Sequence, residues 1–189
     1  MTAPPLNIES KWIPVESNSG TAYRYPVQVT PRMRAMYEKP AVYRWLVTSP
    51  LWDPVAAYFG ETESLARRIG QYISPGKSQQ TNLRIKAYFD ERLKERCTIA
   101  IEVLQFGPFS IKGAEINEGS LRHSQVREFL ESFALIEFQY TDKNGDCLLL
   151  NRIQNAEEKS ENKTVRNIRK ALKEMSPEQK REILKRAQS

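Results

Sequence analysis

Apolar positions along this chain switch between a strand period and a helix period several times. The run Ala41–Thr48 is almost continuously apolar, β-branched and aromatic, and predicts a strand. Ser49-Pro50 and Asp53-Pro54 break it, Val55–Phe59 predicts a second short strand, and Gly60 is expected to let the backbone turn sharply. Leu65, Ile69 and Ile73 then recur at helical spacing, with Arg67 and Arg68 between them. A hairpin feeding a helix in this way brings Tyr43 and Tyr58 near one another and carries an arginine over the same end of the sheet.

The pattern on either side supplies the remaining elements. Residues 1 to about 29 read as an extended arm whose Trp12, Tyr23 and Tyr25 pack on the domain, with a strand expected around Tyr23–Val29. Thr30-Pro31 is an N-cap with proline at the first helical position, and the short helix it opens ends before Lys39-Pro40. After the loop Ser74–Lys77, Ser78 caps a helix from Gln79 to about Glu95. Cys97–Phe106 alternates and is β-branched, a third strand, closed by Gly107-Pro108. A polar loop is expected from about Ser110 to Gly119. A long helix follows over about Ser120 to Tyr140, with Val126, Phe129, Leu130, Phe133, Ala134 and Ile136 as its apolar face. Asn144-Gly145 marks a turn before the short run Leu148–Leu150. Beyond Arg152 a polar linker leads to Val165, Ile168 and Leu172 at helical spacing. Ser176-Pro177-Glu178-Gln179 then starts a further helix.

Charge and composition narrow the classes. At 189 residues, 40% hydrophobic and 28% charged, the chain is expected to form one globular domain with an appendage. No apolar run is long enough to cross a bilayer, and the N-terminus lacks a secretory signal pattern, so a cytoplasmic setting without a membrane partner is expected. Cys97 and Cys147 form no Cys-x-x-Cys pair, and the single His123 excludes a histidine metal cluster within one chain. The net charge is +6, of which five charges fall after Asn151. That balance favours an acidic partner, and the basic tail is read either as a track along a nucleic-acid backbone or as a hairpin for a homodimer or protein partner.

Ala41-Val42-Tyr43, Tyr58-Phe59-Gly60, Arg68 and Tyr72 one turn later, then Leu130-Glu131 on a helix and Leu149-Leu150-Asn151, form an ordered set. This set resembles the GIY-YIG nuclease superfamily. The spacing of Arg68 and Tyr72 is closer to the excision-repair branch than to the homing-endonuclease branch, which carries a histidine where Tyr72 stands. Two positions depart from the pattern. Ala41 replaces the first glycine, and Glu61 stands where the repair branch has a lysine near the phosphate. The resemblance implies an α/β (α+β) fold, GIY-YIG-like, with a small, mainly antiparallel three-stranded sheet flanked by helices. It spans residues 40–152, between an N-terminal arm with a short helix (1–39) and a basic helical tail (153–189).

The resemblance implies an endonuclease that cuts DNA, with RNA left open, using one Mg²⁺ or Mn²⁺ ion and in-line attack. Each residue also has its own physical argument. Glu131 sits in the apolar stretch 129–135, where an idle carboxylate is costly unless paired or metal-bound, and it matches the family's metal-binding glutamate. The plainer reading puts Glu131 at the helix's polar edge. Arg68, a planar permanent cation, suits phosphate oxygens as a transition-state clamp, and the adjacent Arg67 is rotated about 100° away by helix geometry. Tyr43 or Tyr58 is the base for the attacking water, with no ground in the sequence to choose, and Tyr72 positions the phosphate. Aromatics on strands more often serve core packing. Asn151 matches the asparagine that holds the family's site together. His123 matches no family position and is read as structural. Lys77, Gln79, Gln80, Asn82 and Arg84 are either contacts to phosphates and base edges or a helix cap with a solvated face. The alternative to an enzyme is a non-catalytic nucleic-acid-binding or assembly module on the same scaffold, the reading that Ala41 and Glu61 favour.

Overall fold

The computed structural model of the protein describes residues 8–50, 56–141 and 147–151, within the compact unit Met1–Leu150 and the first residue after it. The turn expected around Asn144, the interruption at Asp53-Pro54 and both tail helices lie outside the described residues.

The fold is α+β. In chain order it runs β1 (Ser10–Pro14), α1 (Pro31–Tyr37), β2 (Ala41–Thr48), β3 (Ala56–Thr62), α2 (Leu65–Ile73), α3 (Gln80–Lys94), β4 (Thr98–Phe106), β5 (Phe109–Ile111), β6 (Ala114–Ile116), α4 (Ser124–Thr141) and β7 (Leu148–Leu149). A five-stranded sheet has the order β1-β4-β2-β3-β7, antiparallel except for the β3–β7 pair. The three expected strands are its centre, β4-β2-β3. The two added strands lie at its edges. No helix among the described residues is long and apolar enough to cross a membrane.

Local chemistry explains most boundaries. Thr30 accepts from the Met33 amide at 3.3 Å with Pro31 at the first turn, and Ser64 accepts from the Arg67 amide at 3.2 Å. Strand alternation then divides the core. On one face Tyr43, Trp45, Val47, Tyr58, Ile99 and Ile101 meet Leu65, Ile69 and Tyr72 of α2 and Phe89 of α3. On the other, Val42, Leu104 and Phe106 meet Leu130 of α4, while Phe59 meets Ala134. The two helices that carry Arg68 and Glu131 therefore pack on opposite faces of one sheet.

Several expectations need correction. Gly60 does not turn the chain: β3 continues through it to Thr62, with Gly60 opposite Tyr43. The arm's strand forms at Ser10–Pro14 against β4, whereas residues 23–29 make a single bridge, Arg24 to Ala100. Tyr23 and Tyr25 are buried in the central core, so the arm is part of the domain it was expected only to touch. The loop after Pro108 contains a β5–β6 hairpin, turned by Lys112 and Gly113 at positive φ. Residues Glu118–Arg122 form a 3₁₀ turn capped by Asn117, and α4 begins only at Ser124. Gln79, not Ser78, precedes α3 as its N-cap.

Candidate active site

The register of the central hairpin sets the site. Tyr43 pairs with Gly60 and Trp45 with Tyr58, so Tyr43, Tyr58 and Gly60 share a face. The missing side chain at Gly60 is filled by the Tyr43 ring: a Cβ there would lie 2.4 Å from the Tyr43 oxygen. Packed over this gap, Tyr43 has no exposed surface, and its hydroxyl lies 2.9 Å from that of Tyr72 on α2. Arg68 donates from Nε to the same Tyr43 oxygen at 3.0 Å. Its Nη1 donates to Gln71 Oε1 at 3.2 Å, and the guanidinium carbon stands 5.1 Å from the Tyr72 ring centre. The Tyr58 ring centre lies 6.0 Å from that of Tyr72 in an edge arrangement. Three phenols and a guanidinium thus gather at one end of the β2–β3 hairpin.

The two neighbouring arginines diverge. Arg67 is exposed and pairs loosely with Glu63 at 3.7 Å, while Arg68 is half-buried against the phenols.

Charge in this cluster is well defined. Burial raises the Tyr43 pKa, as does the neighbouring Tyr58, and Arg68 only partly offsets them; Tyr72 is raised by burial and by Tyr43. Burial on its own would lower the Arg68 pKa, but Tyr43 and Tyr72 more than reverse that. Both phenols are therefore neutral near pH 7 beside a permanent cation. The hydrogen bonds reaching Tyr43 from Arg68 and Tyr72 favour loss of its proton, whereas the same bond disfavours loss from Tyr72.

Glu131 lies on α4, half-buried, with its pKa raised by burial, by the negative charge of Glu61 and by Glu128, and lowered by Arg68. The Arg68 and Glu131 charges therefore act on one another across the hairpin, and they do so without forming an ion pair. Beyond Ala57 no described strand covers the outer edge of β3, since β7 reaches only Ala56 and Ala57. Among the described residues nothing hydrogen-bonds the Glu131 carboxylate, and no group of three or more His, Cys, Asp or Glu side chains could hold a metal ion. A carboxylate with no hydrogen-bond partner among the described residues would suit Mg²⁺ or Mn²⁺, hard cations that prefer oxygen ligands and need few of them from the protein.

Sequence reasoning missed Arg127. One helical turn before Glu131, it is 3% exposed, and its Nε donates to Glu61 of β3. Its Nη1 donates to the Leu121 carbonyl at 2.8 Å and the Arg122 carbonyl at 3.2 Å. Glu61 is therefore the counter-ion of a buried guanidinium. A charged residue between Val126 and Leu130 on an apolar stripe was the available signal.

The remaining candidates fall elsewhere. Gln79, Gln80 and Asn82 are engaged locally: Gln79 Oε1 accepts from the Gly76 amide at 3.0 Å and from Asn82 Nδ2 at 3.2 Å, and Gln80 donates to the Lys77 carbonyl at 3.0 Å. Asn82 is buried, Lys77 is exposed and Arg84 is half-buried on α3. Asn151 is half-buried and is the last described residue. His123 ends the 3₁₀ turn, exposed, and accepts from Arg122 Nε at 3.1 Å. Comparisons of the chain with protein-family models, with curated proteins and with solved structures found no match.

Proposed function

We propose that the protein is a GIY-YIG-type endonuclease that hydrolyses DNA phosphodiester bonds with the help of one divalent cation. The observation that carries this reading is the shared Tyr43 hydroxyl, bonded to both Arg68 and Tyr72 over Gly60, with Glu131 in the field of Arg68. Among the described residues Nη2 of Arg68 has no hydrogen-bond partner, whereas Nε and Nη1 hold Tyr43 and Gln71. It would neutralise the phosphate as charge builds on its oxygens. Tyr43 would first give up its own proton to solvent, its phenolate stabilised by Arg68 and by the Tyr72 hydroxyl, and would then take the attacking water's proton and return to the neutral phenol. Glu131 would hold Mg²⁺ or Mn²⁺, which when bound supplies positive charge to the phosphoryl and leaving oxygens.

The test is cleavage of plasmid and of single-stranded DNA and RNA with Mg²⁺ or Mn²⁺. Wild type should nick or cut DNA. Arg68→Ala and Glu131→Gln should each lose at least ~10²-fold, the scale for removing a charge-stabilising group. One observation favours a second reading. Tyr43 and Tyr72 have no exposed surface, as in a phenol cluster that only holds α2 to the sheet. A non-catalytic nucleic-acid-binding module of that kind would bind without cutting in wild type and variants alike.

A further inference from the structure

A groove of about 310 Å³ runs between α1 and α2, floored by Ala66 and Gly70 and walled by Arg34, Arg67 and Gln71. Three features make it more than a crease. Arg34 is exposed, and its guanidinium has no hydrogen-bond or ion-pair partner among the described residues. Among the described residues Arg67 pairs only with Glu63 at 3.7 Å, with 60% and 71% of the two side chains exposed, so its charge is open to another anion. Against these two cations, Glu38 also lines the groove: Ser64 donates to its Oε1 at 2.6 Å, which fixes the carboxylate without cancelling its charge, so the arginines outnumber it.

The third feature is Gly70 itself. A glycine inside a helix costs up to about 1 kcal/mol relative to alanine. Among the described residues nothing requires it here, because a Cβ at position 70 would meet none of their atoms within 4 Å and its φ is not in the left-handed region. The space is left open toward the outside. Gln71, on the groove wall, accepts the bond from Arg68 Nη1, so the groove joins the catalytic cluster through one side chain.

We propose that the α1–α2 groove is a phosphate-backbone track, which seats the nucleic-acid strand leading to the scissile bond, with Arg34 and Arg67 on successive phosphates and Gly70 admitting the sugar edge. The proposal rests on the nuclease reading for the nature of its ligand. Its contacts are to backbone alone, so they fix register without reading sequence.

Fluorescent single-stranded and duplex oligonucleotides, titrated in EDTA so that nothing is cut, test it separately from cleavage. Arg34→Ala with Arg67→Ala should weaken binding equally for unrelated sequences and lower the slope of log affinity against log salt by about 2. Lys11→Ala with Lys94→Ala removes the same charge from exposed positions elsewhere and should change the slope by less than half as much. Gly70→Leu should weaken binding at least ~10-fold while melting no lower than wild type, and Gly70→Ala should bind like wild type. The track is refuted if Gly70→Leu and the arginine pair both bind as wild type does, if the lysine pair matches the arginine pair, or if wild type binds neither oligonucleotide. Binding that obeys these expectations in a protein that cuts nothing with Mg²⁺ or Mn²⁺ supports the track and removes the catalytic proposal alone.

Discussion

The Tyr43 ring occupies the place where any side chain at position 60 would stand: a Cβ on Gly60 would sit 2.4 Å from the Tyr43 oxygen and 2.6 Å from its ring carbon Cζ. Tyr43 cannot retreat without giving up its bonds to Tyr72 and Arg68, since it is enclosed on all sides. Gly60→Ala should therefore destabilise the fold by about 1–3 kcal/mol, as overpacking does, and disconnect Arg68. Gly70→Ala should do the reverse, stabilising by up to about 1 kcal/mol. Urea denaturation of the two variants, side by side, checks both signs.

Tyr43→Phe keeps the ring and removes the oxygen. It leaves Arg68 Nε and the Tyr72 hydroxyl without their shared partner in a dry setting, which costs about 1–3 kcal/mol. Cleavage should fall about 10²–10⁴-fold if Tyr43 accepts the water's proton. Tyr58→Phe should lose much less, because the Tyr43 hydroxyl is the one that Arg68 and Tyr72 both engage. Equal losses in single-turnover assays would reassign the base.

Glu131 carries a pH signature. Its folded-state pKa is raised, chiefly by burial. The unfolded carboxyl releases its proton near its ordinary pKa of about 4.3, where the folded one still holds it, so stability is lost as pH rises through that range. Glu131→Gln cannot ionise. It should melt higher than wild type at pH 7, and the difference should vanish below about pH 4. Adding Mg²⁺ or Mn²⁺ should raise the melting temperature of wild type and leave that of Glu131→Gln unmoved, since only an ion bound to the folded state stabilises it.

The Glu61–Arg127 pair predicts a charge-swap effect. Arg127 is 3% exposed and Glu61 28%. Glu61→Gln removes the counter-ion of a buried guanidinium and should cost less than the ~3–5 kcal/mol of a fully enclosed pair, because water still reaches position 61. Glu61→Lys places a second cation against Arg127 and should be worse than Glu61→Gln by thermal melting. Arg127→Met with Glu61→Gln should recover much of either loss.

These relationships separate what local sequence encodes from what it cannot. Helix α1 was legible because Thr30 and Pro31 act within one turn of their targets, and α2 because Leu65, Ile69 and Ile73 repeat at helical spacing. Strands β2 and β4 were legible because β-branched and aromatic runs have few other uses. Gly60 misled because glycine permits a turn but does not require one. Its reason here is the width of a ring on the neighbouring strand, a fact about position 43. The β5–β6 hairpin was hidden because its strands are three residues each, and only Lys112-Gly113 marks the bend. At the site, the ordered tyrosines, Arg68 and Glu131 were nameable in advance. The hydroxyl that Arg68 and Tyr72 share, and the guanidinium that Glu61 neutralises, depend on partners from separate elements.

Strand β1 joins the sheet only through β4, with Ser10 opposite Phe106. During synthesis β1 is thus seated in the sheet only after β2, β3 and β4 have all been made. Until then Trp12, Tyr23 and Tyr25 have Phe59, Trp45 and Phe89 to pack on but lack the backbone bonds to Ile99 and Ile101 that fix the arm, and a nascent chain halted before Phe106 should be held by chaperones that recognise exposed aromatics.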